Sequence, residues 1–203
     1  MQPSATLDRP TRTRLPRAER RRQLLRAAAG VFVAGGFDGA SMEDVARAAG
    51  VTRLIVYRIF ETKEALYRAV LDAVVDDVIT RFDAREAMPE AARHPIPATL
   101  LAVAREHPDG FRLLWRHAAH EPAFSEMAAA FREGTHGFAE SLLAHAVADG
   151  ELRRWAAESV AAHVYESICL WLDHGDVSRD DAFLALLTDG VRGMVDRWQR
   201  AGR

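Results

Sequence analysis

Three candidate helix starts follow one another within a short stretch of the sequence, so the helices between them must be short. Each start carries a hydroxyl side chain that can accept a hydrogen bond from the backbone of the next turn: Ser41, Thr52 and Thr62. Asp44 strengthens the first start, because an acidic side chain three residues after Ser41 can return a hydrogen bond to it, as in a capping box. Gly50 permits a tight turn between the first two helices. Helix, tight turn and helix in this order predict a helix-turn-helix.

The segments before these starts complete the N-terminal region. Residues 17 to 34 place apolar side chains at spacings of three and four, which predicts an amphipathic helix ended by Gly35-Gly36. Residues 1–16 hold three prolines and three arginines without an apolar period. They predict a flexible basic arm, for which DNA contact and a purely solubilising role are equal alternatives.

The remaining sequence is also helical in pattern, since no stretch alternates convincingly at period two. Proline, glycine and polar residues mark breaks at 88–97, 107–110, 121–122, 149–150 and 174–176. We therefore predict an all-α fold of about nine helices. The predicted parts are the arm at 1–16, a helix-turn-helix domain at 17–68 and a larger helical body at 69–203.

Charge is distributed unevenly between these parts. Residues 1–68 hold 13 Lys and Arg against 7 Asp and Glu, whereas residues 69–203 are net acidic. A protein needs cations only where phosphates lie, so this pattern favours a nucleic-acid reader, with chance clustering of arginine as the alternative. The single cysteine, Cys169, excludes an intramolecular disulfide and a thiolate-rich zinc site. A reducing, cytoplasmic setting is therefore expected.

Membrane insertion is not expected, because no apolar run reaches the length of about 18 residues that a membrane-spanning helix needs. Arg21-Arg22, followed by a mostly apolar stretch, superficially matches a twin-arginine export signal. An exported helical protein is therefore a rival interpretation.

Residues 24–68 resemble the DNA-binding region of the TetR family of bacterial transcriptional regulators. An ordered run of residues carries the resemblance: Phe32, Gly36-Phe37, Ser41, Val45-Ala46, Ala49-Gly50-Val51, Tyr57, Phe60 and Lys63-Glu64-Ala65-Leu66. It implies a homodimer that binds a double-stranded DNA operator, most often as a repressor that a small ligand releases. It implies no catalysis and no cofactor.

The recognition helix is expected over residues 52–60. Arg53 and Arg58 can reach guanine edges or phosphates, and Leu54 or Ile55 can meet thymine methyl groups. The resemblance implies phosphate contacts for Tyr57 and Lys63. The full predicted set is Ser41, Thr52, Arg53, Leu54, Ile55, Tyr57, Arg58 and Lys63. The alternatives are a core role for Tyr57 and a solvated surface role for the arginines.

All eight histidines lie after residue 90, which raises the alternative of a helical enzyme or metalloprotein. His117 and His120 share one helix face and Glu121 follows them, but the spacing is not that of a zinc-protease signature. Capping or surface roles are favoured for these histidines, and no metal site is predicted.

Aromatic residues recur in the middle of the body: Phe111, Trp115, Phe131 and Phe138. Such a stripe belongs to a core by default. The resemblance implies a cavity among these helices for a small-molecule effector, which the apolar lining predicts to be apolar.

The last two helices are candidates for a dimer interface. Spacings of three and four connect Leu184, Leu187, Val191, Met194 and Trp198, and the preceding helix offers Val164 and Ile168. This pattern is typical of helices that pack at a shallow angle. The resemblance implies a four-helix interface between two subunits, with packing inside one chain as the alternative.

Overall fold

The computed structural model describes residues 15–201, so the predicted arm lies outside the described residues except for its last two. Within residues 15–201 the chain forms α-helices, short 3₁₀ turns and one π-helical stretch, without a β-strand, which confirms the all-α prediction. The α-helices are α1 (Arg17–Gly39), α2 (Met42–Ala48), α3 (Arg53–Ile59), α4 (Lys63–Glu86), α5 (Ile96–Glu106), α6 (Pro108–Arg112), α7 (Ser125–Leu143), α8 (Gly150–His174) and α9 (Asp180–Ala201).

Two of the three predicted caps are confirmed. Asp44 N–H donates to Ser41 Oγ at 3.1 Å, and Ser41 N–H donates to Asp44 Oδ2 at 3.1 Å, which completes the capping box. Thr62 Oγ1 accepts from Ala65 N–H at 3.1 Å. The predicted cap at Thr52 is wrong, because its exposed hydroxyl accepts no hydrogen bond from α3. Backbone groups at this exposed helix start can be satisfied by water instead.

Gly36 interrupts α1 where the sequence predicts its end. Its backbone has φ 68° and ψ 176°, a left-handed conformation that glycine adopts without a clash from Cβ. One further helical turn follows as far as Gly39. The chain therefore changes direction before it enters α2.

One hydrophobic core joins the N-terminal region to the body. It contains Phe32 of α1, Val56 of α3, Tyr67 and Leu71 of α4 and Ile168 of α8, none of which is exposed. Helix α4 continues without interruption across the predicted boundary at residue 68. Packing along α4 therefore connects the helix-turn-helix mechanically to the body.

The breaks in the body lie near the predicted positions but differ in extent. The break predicted at 149–150 covers residues 144–149, because α7 ends at Leu143 and Gly150 begins α8, and the break predicted at 88–97 ends before Ile96, where α5 begins. The predicted break at 107–110 shortens to the single residue His107, because Pro108 takes the first position of α6. Proline is favoured there, since the N–H that it lacks has no partner at the start of a helix. Only His107, with φ −127° and ψ 56°, separates α5 from α6.

Candidate nucleic-acid interface

Helix α2 packs against α1 and α3 packs against α2, and the inner sides of both short helices enter the shared core. Val45 and Val56 are fully buried, and Phe60 is nearly so. Gln23 Nε2 of α1 donates to Ala49 O at 2.8 Å, which holds the end of α2. These contacts leave the outer face of α3 free.

The predicted recognition residues lie on that outer face. Arg53, Leu54 and Arg58 are exposed, Ile55 is half-buried, and Leu54 exposes 68% of its surface. Tyr57 is also exposed, so the alternative of a core role for it is wrong. Thr52, just before α3, is exposed as well. Leu54 thus adds a large exposed apolar side chain to this face.

Arg53 and Tyr57 form a pair along α3. Arg53 Nη2 donates to Tyr57 Oη at 3.2 Å, and the guanidinium carbon lies 5.1 Å from the centre of the ring. The hydrogen bond raises the pKa of Arg53 above its usual value, so the guanidinium stays charged. The pair holds a cation at the surface of the helix in one orientation.

Lys63 is placed differently from the expectation. Its Nζ donates to Phe37 O at 2.6 Å and Ala40 O at 3.0 Å, and it lies 4.3 Å from the centre of the Phe37 ring. The carbonyls of Phe37 and Ala40 lie at the C-terminal end of α1, where helix carbonyls lack partners within the helix, and the ammonium satisfies them. Lys63 thus fastens the loop before α2, and only one of its three N–H donors remains for a phosphate.

Ser41 is also engaged within the protein. Its hydroxyl donates to Asp44 Oδ2 at 2.5 Å and accepts from Asp44 N–H. The hydrogen bond from Ser41 lowers the pKa of Asp44, so the carboxylate is charged at neutral pH. Arg47 lies 3.0 Å from the other carboxylate oxygen and partly offsets this negative charge.

Three of the four predicted effector residues meet around a side chain that the sequence interpretation missed. Tyr165 of α8 stacks on Trp115 at 4.5 Å and on Phe111 at 5.5 Å, and Phe131 meets it edge-on at 5.9 Å. Burial raises the pKa of Tyr165 to about 12. Phe138 lies apart from this group and packs on Phe82 at 5.4 Å. Tyr165 lies far along the chain from Phe111 and Trp115, so the sequence offered no direct sign of their contact. The spacing of apolar residues along α8 was the only available signal that Tyr165 is buried.

Concave surface is found elsewhere on the body. One cleft of about 320 Å³ is lined by Gly137, Glu140, Ser141, Ala144 and Arg153. A second, of about 250 Å³, lies between the start of α5 and α9. Neither cleft contains the four predicted aromatic residues.

Part of the predicted dimer interface is wrong. Val164, Ile168 and Leu187 expose 5% or less of their surface because they pack in the chain's own core. Leu184 and Val191 pack against the same core and are half-buried. The apolar stripe of α9 thus faces inward and covers one side of the core of the body.

Met194 and Trp198, near the end of α9, are half-buried. Other apolar side chains point outward from the last two helices: Leu152, Trp155 and Leu170 on α8, and Leu186 on α9. Leu186, directly before the buried Leu187, exposes 77% of its surface. The outer apolar surface of these helices is therefore made by residues that the spacing pattern did not select.

The histidines form no recognisable metal centre in the described part of the chain. Residues 15–201 contain no group of three or more His, Cys, Asp or Glu side chains placed to hold an ion. Burial lowers the pKa of His117 below its usual value, which favours the neutral form. None of the helices in this range is both long and apolar enough to cross a membrane.

A short capped helix, a tight turn at Gly50 and a second helix with an exposed basic face define the class of helix-turn-helix proteins. Residues 24–70 match the family model described as bacterial regulatory proteins, tetR family. Through this region the chain is similar to the DNA-binding part of TetR-family regulators.

Two curated relatives and one solved structure show how far the similarity reaches. The transcriptional activator FasR of Mycolicibacterium smegmatis is 48% identical over 67 residues, which are 33% of this chain and 31% of FasR. The transcriptional repressor BepR of Brucella suis is 35% identical over 92 residues, 44% of this chain and 41% of BepR. The chain thus spans less than half the length of these relatives. A TetR-like regulator from Rhodococcus sp. RHA1 superposes with a TM-score of 0.69 at 20% identity, covering 89% of this chain and 98% of that one, and shares its fold.

Proposed function

We propose that this protein is a DNA-binding transcriptional regulator that places α3 in the major groove of an operator. The outer face of α3 carries this proposal, because it exposes Arg53, Leu54, Tyr57 and Arg58 while Val56 anchors the inner side. The major groove admits an α-helix, arginine can donate to guanine, and apolar side chains can meet thymine methyl groups. The relatives FasR and BepR are transcriptional regulators, which supports the same role here.

In this proposal the predicted DNA-binding residues contact different parts of the DNA. Arg53 and Arg58 read base edges or phosphates, Leu54 and Ile55 meet thymine methyl groups, and Tyr57 orients Arg53 and approaches the backbone. Thr52 and Ser41 lie at helix starts, where a phosphate is attracted to free backbone N–H groups. Lys63 acts chiefly by holding the loop before α2.

We infer repression as the sign of regulation, because a protein that occupies promoter DNA blocks transcription without any further contact. Activation requires an additional surface for the transcription machinery. The named relatives include both an activator and a repressor, and a reporter gene distinguishes the two signs. A reporter gene placed behind the selected operator should be silenced by the wild-type protein and released when the gene for the protein is deleted.

We also propose that the protein acts in the cytoplasm as a homodimer released by an apolar effector. The exposed apolar side chains of α8 and α9 support the dimer, and the aromatic group around Tyr165 supports an effector of apolar character. An effector that releases DNA must bind the DNA-free state more tightly, since equal affinity for both states shifts nothing. Aromatic compounds that raise the melting temperature should therefore weaken operator binding.

Selection of duplexes from a randomised library by the full-length protein tests the proposal. A two-fold symmetric dimer should enrich a pseudo-palindrome with half-sites about one helical turn apart, or a multiple of it. Arg58→Ala should weaken binding to the enriched duplex about tenfold or more, whereas Arg179→Ala, an exposed arginine between α8 and α9, should not. Absence of enrichment at low salt would refute the function.

A further inference from the structure

The last turn of α1, beyond the break at Gly36, is held from the body as well as from α4. Phe37 N–H donates to Glu121 Oε1 at 3.1 Å, across 84 residues of sequence. Phe37 O accepts from Lys63 Nζ at 2.6 Å. Both backbone polar groups of Phe37 are therefore fixed, one by the body and one by the first residue of α4.

The backbone break at Gly36 places Phe37 for this contact. Gly36 takes φ 68°, outside the helical region, and a Cβ built on it would lie 3.9 Å from Glu121 Oε1. The chain thus passes close to the carboxylate where it turns toward α2. The hydrogen bond lies at the point where the direction of the helix-turn-helix is set.

Glu121 is itself held in place by its contact with Phe124 and by the aromatic packing of that residue. Phe124 donates its N–H to Glu121 O at 2.9 Å, and its ring stacks on Tyr67 at 4.2 Å. The same ring meets Phe37 edge-on at 5.2 Å. Phe124 and Tyr67 are buried, so the carboxylate is presented from a packed and rigid support.

We propose that Glu121 is a positioning residue for DNA binding, which holds the Phe37 N–H and thereby fixes how α2 and α3 leave the end of α1. The proposal rests on the proposed function. A segment held before binding loses less conformational freedom on the DNA, so the affinity is higher. Glu121 belongs to the body and not to α3, so its effect should be the same for all DNA sequences and should not change the number of phosphate contacts.

Three substitutions separate the acceptor from the charge. Glu121→Ala removes both, Glu121→Gln removes the charge but keeps an oxygen that accepts from Phe37, and Glu121→Asp keeps the charge on a shorter side chain. Affinity is measured by fluorescence anisotropy of full-length protein with the duplex that the wild type enriches most. Ala should weaken binding about tenfold, the usual size of coupling between sites. Gln should bind like the wild type and Asp should bind more weakly, while the dependence of log K on log salt stays unchanged.

Tyr67→Phe is the matched control in the same aromatic group. The Tyr67 hydroxyl is buried and makes no hydrogen bond within residues 15–201, so its removal leaves the packing and the Phe37 contact in place. This variant should keep wild-type affinity and an equal or higher melting temperature. An equal loss of affinity in Tyr67→Phe would assign the effect to packing and overturn the proposal.

Two other outcomes overturn it as well. One is a folded Glu121→Ala protein that binds like the wild type, and the other is Glu121→Gln that binds as weakly as Ala. If Ala does not fold, the contrast between Gln and Asp decides. A wild-type protein that binds no duplex refutes the proposed function itself, whereas wild-type binding with indifferent variants refutes only the role of Glu121.

Discussion

Arg53 and Tyr57 lie one helical turn apart on the exposed face of α3, and the guanidinium donates to the tyrosine hydroxyl at 3.2 Å while it stacks 5.1 Å from the ring centre. Arginine has many rotamers in solution, so this pairing removes part of the entropy cost of placing the side chain against a base. The orientation of Arg53, which we propose reads a base, is therefore set within α3 itself.

Tyr57→Phe should weaken binding to the selected duplex about two- to fivefold, because Arg53 loses one hydrogen bond worth about 0.5–1 kcal/mol net. The ring remains, so helix content should not change. A double-mutant cycle with Arg53→Ala isolates the interaction: Tyr57→Phe should have a smaller effect once Arg53 is absent. Fully additive losses would show that the two side chains contact DNA independently.

The caps give a second matched pair. Ser41→Ala should lower the free energy of unfolding by about 0.5–2 kcal/mol, because the backbone of α2 loses the hydrogen bond from its cap. Thr52→Ala should change it by less than about 0.5 kcal/mol, since Thr52 caps nothing. Urea denaturation followed by circular dichroism measures both, and equal losses would contradict the geometry.

Substitution of Lys63 and of Arg58 should have different effects on the salt dependence of DNA affinity. Arg58→Ala removes an exposed cation, and if that cation meets a phosphate, the slope of log K against log salt should fall by about 0.9. Lys63→Ala should instead reduce stability by about 1–3 kcal/mol, because two carbonyls lose a charged donor. Its slope should stay close to that of the wild type. A full loss of one slope unit in Lys63→Ala would show that the ammonium turns to a phosphate on DNA.

Neighbouring leucines on α9 test the dimer. Leu187→Asp should unfold the protein, because it buries a carboxylate in the core. Leu186→Asp changes an exposed side chain and should leave the monomer folded while it dissociates the dimer, since two like charges would meet across a two-fold axis. Analytical ultracentrifugation measures the assembly and circular dichroism the fold. A stable Leu186→Asp dimer would remove α9 from the interface.

Asp180 should make stability depend on pH in the acid range. Its carboxylate accepts from Arg105 at 2.6 and 3.0 Å and from Trp171 at 2.6 Å, and the bond to Arg105 is the main cause that lowers its pKa. The stabilisation is present above the pKa of the unfolded chain, about 3.9, and is lost as the pH falls through the lowered folded value. Asp180→Asn should be destabilised by about 1–2 kcal/mol at pH 7. Thermal unfolding should show this difference shrinking below about pH 4.

The sequence by itself determined the local features of this protein. Ser41 with Asp44, and Thr62 with the residues after it, form caps within one helical turn, where neighbours along the chain are neighbours in space. Gly36 and Gly50 adopt left-handed backbone conformations that their lack of Cβ permits. The all-α fold and the exposed face of α3 also follow from the spacing of apolar and polar residues within single helices.

Only the tertiary structure decided which faces meet. The period of α9 identified an apolar stripe but not what the stripe packs against. Leu187, on that stripe, packs into the core of its own chain, whereas its neighbour Leu186 faces outward. Tyr165 and Glu121 reach their contacts through packing of α8 and of the turn before α7, far from those contacts in sequence. Lys63 points toward the end of α1 because its ammonium donates to the carbonyls of Phe37 and Ala40 there. Such partners are set by the relative placement of helices, which spacing along one helix does not encode.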